Sequence, residues 1–272
     1  MAHASKASGG AGSSGGGGKR QVYGVGPVRE LLRARRPIQI LYVAAERAQA
    51  RGKDPVAELV TAAQQAGITV ELRPSRDLDR LAGEAARHQG AIAITGELRY
   101  VGVRDLVDAA GAAPPLVVVL DGVTDPHNLG AIIRSAYVLG AHGVIIPAHR
   151  AAAITAVVTK ASAGATELLP IAQVGNLVRA LEELKEAGLW LCAVAAEPGA
   201  RPMTQLDLAG PLALVLGAEG SGVRPLVART CDLHALIPMG GAGVGSLNVS
   251  VAAGIALYEV GRQRAARAGG GA

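Results

Sequence analysis

The chain has 272 residues, of which half are apolar and 18% are charged, and its formal net charge is +5. This length favours two domains over one. No apolar run is long enough to span a membrane, and the first residues lack the apolar core of a secretion signal, so we expect a cytoplasmic protein with no membrane partner. Only six residues are aromatic and none is Phe, which argues against a broad base-stacking platform for single-stranded nucleic acid.

The N-terminal segment, residues 1–20, contains 15 Gly, Ala or Ser residues. Its only formal charges are positive and lie on Lys6, Lys19 and Arg20. A segment of this composition cannot bury a core, and we predict a disordered tail that acts as a solvated spacer.

Residues 21–97 alternate between helical and extended patterns. The predicted helices cover 28–32, 56–66 and 78–87, and the predicted strands cover 38–43, 68–72 and 91–95. The region carries 11 Lys or Arg against 9 Asp or Glu. Its densest basic cluster consists of Arg29, Arg33, Arg35 and Arg36, for which phosphate binding and a solvated helix face are equally good explanations.

The segment 98–114 is rich in Ala, Gly and Pro and predicts a linker. Beyond it, short apolar strands alternate with helices, which predicts an α/β domain with a mostly parallel sheet and helices on both faces. The predicted strands cover 116–120, 143–146, 190–195, 212–216 and 234–237. A final helix is predicted over 247–264, followed by a flexible C-terminus at 265–272.

Cysteine and histidine spacing gives no indication of a metal site. Cys192 and Cys231 form no Cys-x-x-Cys pair, and we expect them to be reduced core residues. The six histidines lack spacings such as His-x-x-x-His, so no metal cofactor is expected.

The most informative stretch is 237–258, IPMGGAGVGSLNVSVAAGIALY. Here a short strand enters a glycine-rich turn that brings Ser246 and Asn248 to the start of a helix. The apolar face of that helix has helical spacing and consists of Leu247, Val251, Ile255 and Tyr258. Glycines permit close approach of the backbone to a ligand, and a helix start offers free N–H donors, so this stretch predicts a pocket. It lacks both the Gly-Lys-Ser/Thr of a phosphate loop and the order of a dinucleotide site.

Two earlier segments extend this pattern, namely 120–137 (LDGVTDPHNLGAIIRSAY) and 214–223 (LVLGAEGSGV). In this order, the three segments resemble the signature motifs of the SpoU (TrmH-type) RNA ribose 2′-O-methyltransferases of the SPOUT class. The resemblance covers roughly residues 21–264, and the glycine loop of the third motif is one residue longer than the family pattern. It implies a trefoil-knotted catalytic domain over 115–264, preceded by a small αβ RNA substrate-binding domain, related to ribosomal proteins, over 21–97.

The resemblance also implies an active site made of Asn128, Arg134, Glu219, Ser246 and Asn248. For Asn128, Ser246 and Asn248 the default role is helix capping, and both roles can hold at once. Arg134 has the apolar neighbours Ile132, Ile133 and Ala136, and we expect it to need an anionic partner such as an RNA phosphate. The family assigns Arg134 to deprotonation of the ribose hydroxyl. Since the pKa of a guanidinium is above about 12, phosphate anchoring and charge stabilisation are better supported.

The cofactor implied by the resemblance is S-adenosyl-L-methionine. The residues expected to bind it are Leu216, Gly217, Ile237, Pro238, Met239 and Leu247. The implied reaction is methylation of a guanosine 2′-hydroxyl in the peptidyl-transferase loop of 23S rRNA by a homodimer. The alternatives are a tRNA guanosine, a resistance-type rRNA position and, from another class, RNA binding without catalysis.

Overall fold

The computed structural model describes residues 20–50, 54–83, 87–195, 197, 199–240 and 246–269. The prediction of a disordered tail falls outside these residues, apart from Arg20. The extra residue in the glycine loop also falls outside them, because 241–245 are not described.

Residues 20–95 form a four-stranded sheet with four helices. Its strands are β1 (Arg20–Tyr23), β2 (Ile38–Ala44), β3 (Val70–Arg73) and β4 (Ala91–Thr95), in the order β1-β4-β2-β3. The helices are α1 (Val25–Arg33), α2 (Ala45–Ala48), α3 (Pro55–Gln65) and α4 (Ser75–Ala82). The three predicted strands and three predicted helices are present, with ends that differ by up to five residues. The largest difference is at α4, which was predicted over 78–87 and ends at Ala82, and residues 84–86 of that prediction lie outside the described residues. Sequence patterns missed β1 and α2, which have only four residues each.

A seven-stranded sheet follows, in the order β7-β6-β5-β10-β8-β11-β9. Its strands are β5 (Leu116–Asp121), β6 (Gly143–Pro147), β7 (Ile171–Val174), β8 (Trp190–Val194), β9 (Arg201–Pro202), β10 (Leu212–Gly217) and β11 (Leu233–Leu236). Every pairing in it is parallel, which confirms the predicted class of sheet. The chain runs outward from β5 to β7 and then returns, so β5 and β10 flank a switch in strand order, where open α/β sheets bind ligands.

Six helices cover the two faces of this sheet. They are α5 (Val103–Asp108), α6 (Pro126–Val138), α7 (Ala156–Ala161), α8 (Leu177–Glu186), α9 (Pro225–Thr230) and α10 (Val249–Gly269). Residues of α6, α7 and α10 share one apolar cluster, and residues of α5, α8 and α9 share the other. The two-sided covering agrees with the continuous apolar character of β5 and β10. The knotted path implied by the resemblance stays a prediction.

Two boundaries differ from the sequence predictions. The segment 98–114 is not a structureless linker, because it contains α5, whose Val103 and Leu106 are buried against the sheet. The last helix begins at Val249 and continues to Gly269, where a flexible end was expected. Arg267 in this extension forms an ion pair with Asp207 at 2.8 Å. Among the described helices, α10 included, none is long and apolar enough to cross a membrane.

The two sheets are joined through a buried polar contact. Arg20 of β1 forms an ion pair with Glu167, and its Nη2 donates to Thr159 Oγ1 at 3.3 Å. Arg36 donates from Nε to the backbone oxygen of Glu167 at 2.5 Å. One member of the predicted basic cluster therefore binds the neighbouring domain. Two others pair with carboxylates at the surface, in the ion pairs Arg29–Glu58 and Arg33–Glu30.

Both cysteines are buried and free, as expected. Burial raises the pKa of the Cys192 thiol and of the Cys231 thiol to about 12. Because the thiolate is the reactive form, neither thiol should react with Ellman's reagent at pH 8 in the folded protein, and both should react in guanidinium chloride. Rapid labelling of the native protein would contradict the buried, protonated state.

Candidate functional site

Side chains from three distant segments meet at the switch between β5 and β10. Asn128 lies in the first turn of α6, Glu219 in the loop after β10, and Asn248 directly before α10. Asn128 Nδ2 donates to Glu219 Oε2 at 3.3 Å, and Asn248 Nδ2 donates to Asn128 Oδ1 at 3.0 Å. Three of the five predicted site residues therefore form one hydrogen-bonded group, which we call the polar trio.

Capping explains only part of this arrangement. The N-cap of α6 is Asp125, whose carboxylate accepts from the backbone N–H of His127 and of Asn128. The alternative interpretation of Asn128 as the cap is therefore wrong, and its side chain is free for the trio. Asn248 has both roles, because its Oδ1 accepts from the Ser250 backbone N–H at 2.9 Å while its amide donates to Asn128.

The loop that carries Glu219 folds tightly onto the end of β10. Ala218 and Gly222 exchange two backbone hydrogen bonds, of 3.1 and 2.9 Å. A Cβ on Gly217 would lie 1.9 Å from the carbonyl carbon of Gly222, so only glycine fits there. We expected this glycine to allow approach of a cofactor; the structure shows that it first allows the loop to close on itself, with Glu219 exposed at its tip.

A buried carboxylate anchors the other end of this loop. Asp121, the last residue of β5, has no exposed side-chain surface. Its Oδ2 accepts from the Arg224 backbone N–H at 2.8 Å, and its Oδ1 accepts from Arg224 Nε at 2.6 Å. Sequence reasoning missed this pair, although an acidic residue that ends an otherwise apolar strand was a usable signal.

Next to the trio lies a cavity of about 350 Å³ at the carboxyl ends of β8, β10 and β11. The predicted residues that line it are Leu216, Gly217, Glu219, Ile237, Met239, Ser246 and Leu247. Pro238 is exposed and does not line it. Sequence reasoning missed the contributions of Ala195 and Glu197, which follow β8, and of Ala252 on α10.

The described lining of the cavity consists largely of apolar residues and glycines, together with two acidic side chains. The only charged residues among the described lining residues are Glu197 and Glu219. This lining favours a ligand that carries positive charge together with an apolar or aromatic part. Across the described part of the chain, no group of three or more His, Cys, Asp or Glu side chains is arranged to hold a metal ion.

Residues 115–258 match the SpoU rRNA Methylase family, and residues 21–101 match the family described as RNA 2′-O ribose methyltransferase substrate binding. The chain belongs to the SpoU rRNA methylase family. It is 41% identical over 246 residues to the 23S rRNA (guanosine-2′-O-)-methyltransferase RlmB of Vibrio vulnificus, covering 90% of this chain and 97% of that one. It is 40% identical to the putative TrmH family tRNA/rRNA methyltransferase YacO of Bacillus subtilis, covering 89% and 95%.

A similar solved structure is the SpoU methyltransferase AviRb of Streptomyces viridochromogenes in complex with the cofactor AdoMet. Its TM-score is 0.75 at 26% identity, with 92% of each chain covered. An AdoMet-bound rRNA methyltransferase of Sinorhizobium meliloti has a TM-score of 0.72 at 26% identity, with 90% of this chain and 87% of that chain covered.

In this SpoU protein, Arg134 does not contact the trio. Its neighbours Ile132, Ile133 and Ala136 are buried as expected, but Arg134 itself is exposed on α6. It has no hydrogen bond or ion pair with any described residue. Arg134 is therefore not enclosed by these apolar neighbours, because adjacent helix residues point about 100° apart, and an RNA phosphate as its partner stays a prediction.

Proposed function

We propose that this SpoU-family protein transfers a methyl group from S-adenosyl-L-methionine to the 2′-hydroxyl of a guanosine in 23S rRNA, in the peptidyl-transferase loop. The observation that carries the proposal is the polar trio at the mouth of a cavity whose described charged residues are all acidic. The carboxylates of Glu197 and Glu219 suit the sulfonium and ammonium groups of this cofactor, and Leu216, Ile237 and Leu247 suit its adenine.

When bound, S-adenosyl-L-methionine supplies an electrophilic methyl group on a positively charged sulfur. The chain must then orient the ribose hydroxyl and accept its hydrogen bond. Asn128 is fixed in one amide orientation, because it accepts from Asn248 and donates to Glu219. Glu219 presents an exposed carboxylate that can accept the hydrogen bond of the hydroxyl and take its proton as the oxygen gains the methyl group. Holding the reactants in line supplies much of the acceleration in such transfers.

The test is transfer of labelled methyl to transcripts of the 23S peptidyl-transferase region and of tRNA. We expect transfer to the first and a signal at a single ribose. Transfer to tRNA alone would favour the tRNA alternative, and RNA binding without transfer would favour the non-catalytic one. Mapping of ribose methylation in cells that lack the protein identifies the nucleotide, and would also distinguish a resistance-type position.

We also propose that residues 21–97 bind the RNA substrate and that the protein acts in the cytoplasm as a homodimer. An apolar patch on α6 and α10 supports the dimer. The patch consists of five side chains that are exposed on the described chain, namely Tyr137, Val138, Val251, Ile255 and Tyr258. Monomers rarely expose a contiguous patch of such side chains. We expect a dimer mass by light scattering at micromolar concentration, and a monomer for Ile255→Glu.

Arg134 precedes Tyr137 and Val138 by three and four residues, so it lies on the same face of α6 as the patch. In the proposed dimer it would therefore face the partner subunit. A mixture of Arg134→Ala and Glu219→Gln subunits tests this. If Arg134 serves the site of the other subunit, each mixed dimer has one complete site, and random mixing restores about a quarter of the wild-type activity. If it serves its own site, the mixture stays inactive.

A further inference from the structure

A second cavity opens on the same edge of the large sheet, on the other side of the strand switch. Its volume is about 670 Å³, and Gly122, Pro147 and Gly175 bring the ends of β5, β6 and β7 to its wall. We call it the basic cleft. Neither the polar trio nor the cofactor cavity uses it.

All ionisable side chains in the described lining of the basic cleft are basic. Its ionisable lining residues are His149, Arg150 and Arg224, and it has no acidic lining residue among those described. The adjacent carboxylate, Asp121, is completely covered and already accepts two hydrogen bonds from Arg224. The Arg224 side chain is nevertheless 57% exposed, so its terminal nitrogens remain accessible. Such a cleft favours an anion.

Arg150 is held in an unusual position. Its φ is +56°, a conformation that is unfavourable for arginine. Hydrogen bonds fix the loop on both sides, from the Ala148 N–H to the Val174 oxygen at 2.8 Å and from the Ala152 N–H to the Val123 oxygen at 2.9 Å. The exposed side chain makes no hydrogen bond or ion pair with the described residues. The loop thus fixes the backbone position from which an unpaired guanidinium projects.

We propose that the basic cleft binds the sugar–phosphate backbone of the RNA strand that flanks the target nucleotide. This inference rests on the proposed function, because it requires an RNA substrate. The loop after β10 connects the polar trio with the basic cleft. Glu219 of the trio lies near the start of this loop, and Arg224 of the cleft lies at its end. A strand whose ribose lies at the trio can therefore continue across this loop into the cleft. Leu226, 58% exposed at its rim, offers an apolar surface to a neighbouring base.

The test compares Arg150→Asn with Arg104→Asn in the full-length protein. Asparagine tolerates a positive φ, so the first change removes charge without added backbone strain. Arg104 is an exposed arginine of α5 that lies outside the cleft and makes no ion pair with the described residues. Arg104→Asn is therefore a matched control that removes the same charge elsewhere on the surface. Binding of a transcript of the 23S peptidyl-transferase region is measured by fluorescence anisotropy over a series of KCl concentrations.

We expect Arg150→Asn to weaken RNA binding about tenfold and to reduce the slope of log K against log salt by about one. The affinity for S-adenosyl-L-methionine and the melting temperature should match those of the wild type. Equal behaviour of the two variants would overturn the proposal. So would an unchanged slope of log K against log salt in Arg150→Asn, because the side chain would then release no phosphate counterion. If the wild-type protein binds the transcript but transfers no labelled methyl to it, the proposed target fails while the comparison of variants still tests the cleft.

Discussion

Arg134→Ala should lower the turnover of RNA methylation by about 10² to 10³-fold while the affinity for S-adenosyl-L-methionine stays unchanged. The size of this expected fall in turnover follows from the usual contribution of a charge-stabilising or orienting group to the stability of a transition state. Cofactor affinity is spared because Arg134 does not line the cofactor cavity and is exposed on α6. Single-turnover methylation and isothermal titration measure the two quantities separately.

The role of Arg134 can be resolved further with Arg134→Lys. If the arginine anchors a phosphate through its charge, lysine should restore part of the turnover, and the dependence of the rate on pH should keep its wild-type shape. If the arginine removes the hydroxyl proton, lysine, whose ordinary pKa is about 10.4, should change that shape at alkaline pH. Loss of S-adenosyl-L-methionine binding in Arg134→Ala would contradict the assignment to RNA.

Long apolar runs and glycine-rich motifs predicted most of the fold. The buried strands β5 and β10 are continuous apolar segments and were located within one residue. In contrast, β7 has four residues, one of them Gln173, and β9 has two, so neither carries a measurable pattern. These two strands are defined by their pairing with neighbouring strands, and sequence periodicity carries no information about that pairing.

The site was predicted in part, and the errors have local physical causes. Motif resemblance brought Asn128, Glu219 and Asn248 together correctly as neighbours. The interpretation of Asn128 as a helix cap overlooked Pro126, whose place in the first turn indicates that the cap is Asp125. The ion pair between Asp121 and Arg224 joins residues 103 apart in sequence, and no spacing rule reports such a contact.

The second large effect concerns Gly217. We expect Gly217→Val to abolish S-adenosyl-L-methionine binding and to lower the melting temperature by roughly 10 °C, because overpacking against backbone atoms costs about 3 kcal/mol or more. The added Cβ would lie 1.9 Å from the carbonyl carbon of Gly222 and 2.2 Å from the Val223 nitrogen. The loop that forms the cavity wall must therefore move. Isothermal titration and thermal unfolding together measure the effect.

Gly217→Val alone does not distinguish a blocked cofactor site from a displaced loop. Ala195→Leu makes that distinction. Ala195 lines the cavity and is half-buried, so a larger side chain reduces the space for the cofactor without a backbone clash at Gly222. Ala187→Leu is the matched control, since Ala187 packs against the same apolar cluster and does not line the cavity. We expect Ala195→Leu to weaken cofactor binding at least about tenfold, which corresponds to about 1.4 kcal/mol, with an unchanged melting temperature. Normal cofactor binding by Ala195→Leu, together with its loss in Ala187→Leu, would mean that the cofactor occupies a different part of the molecule.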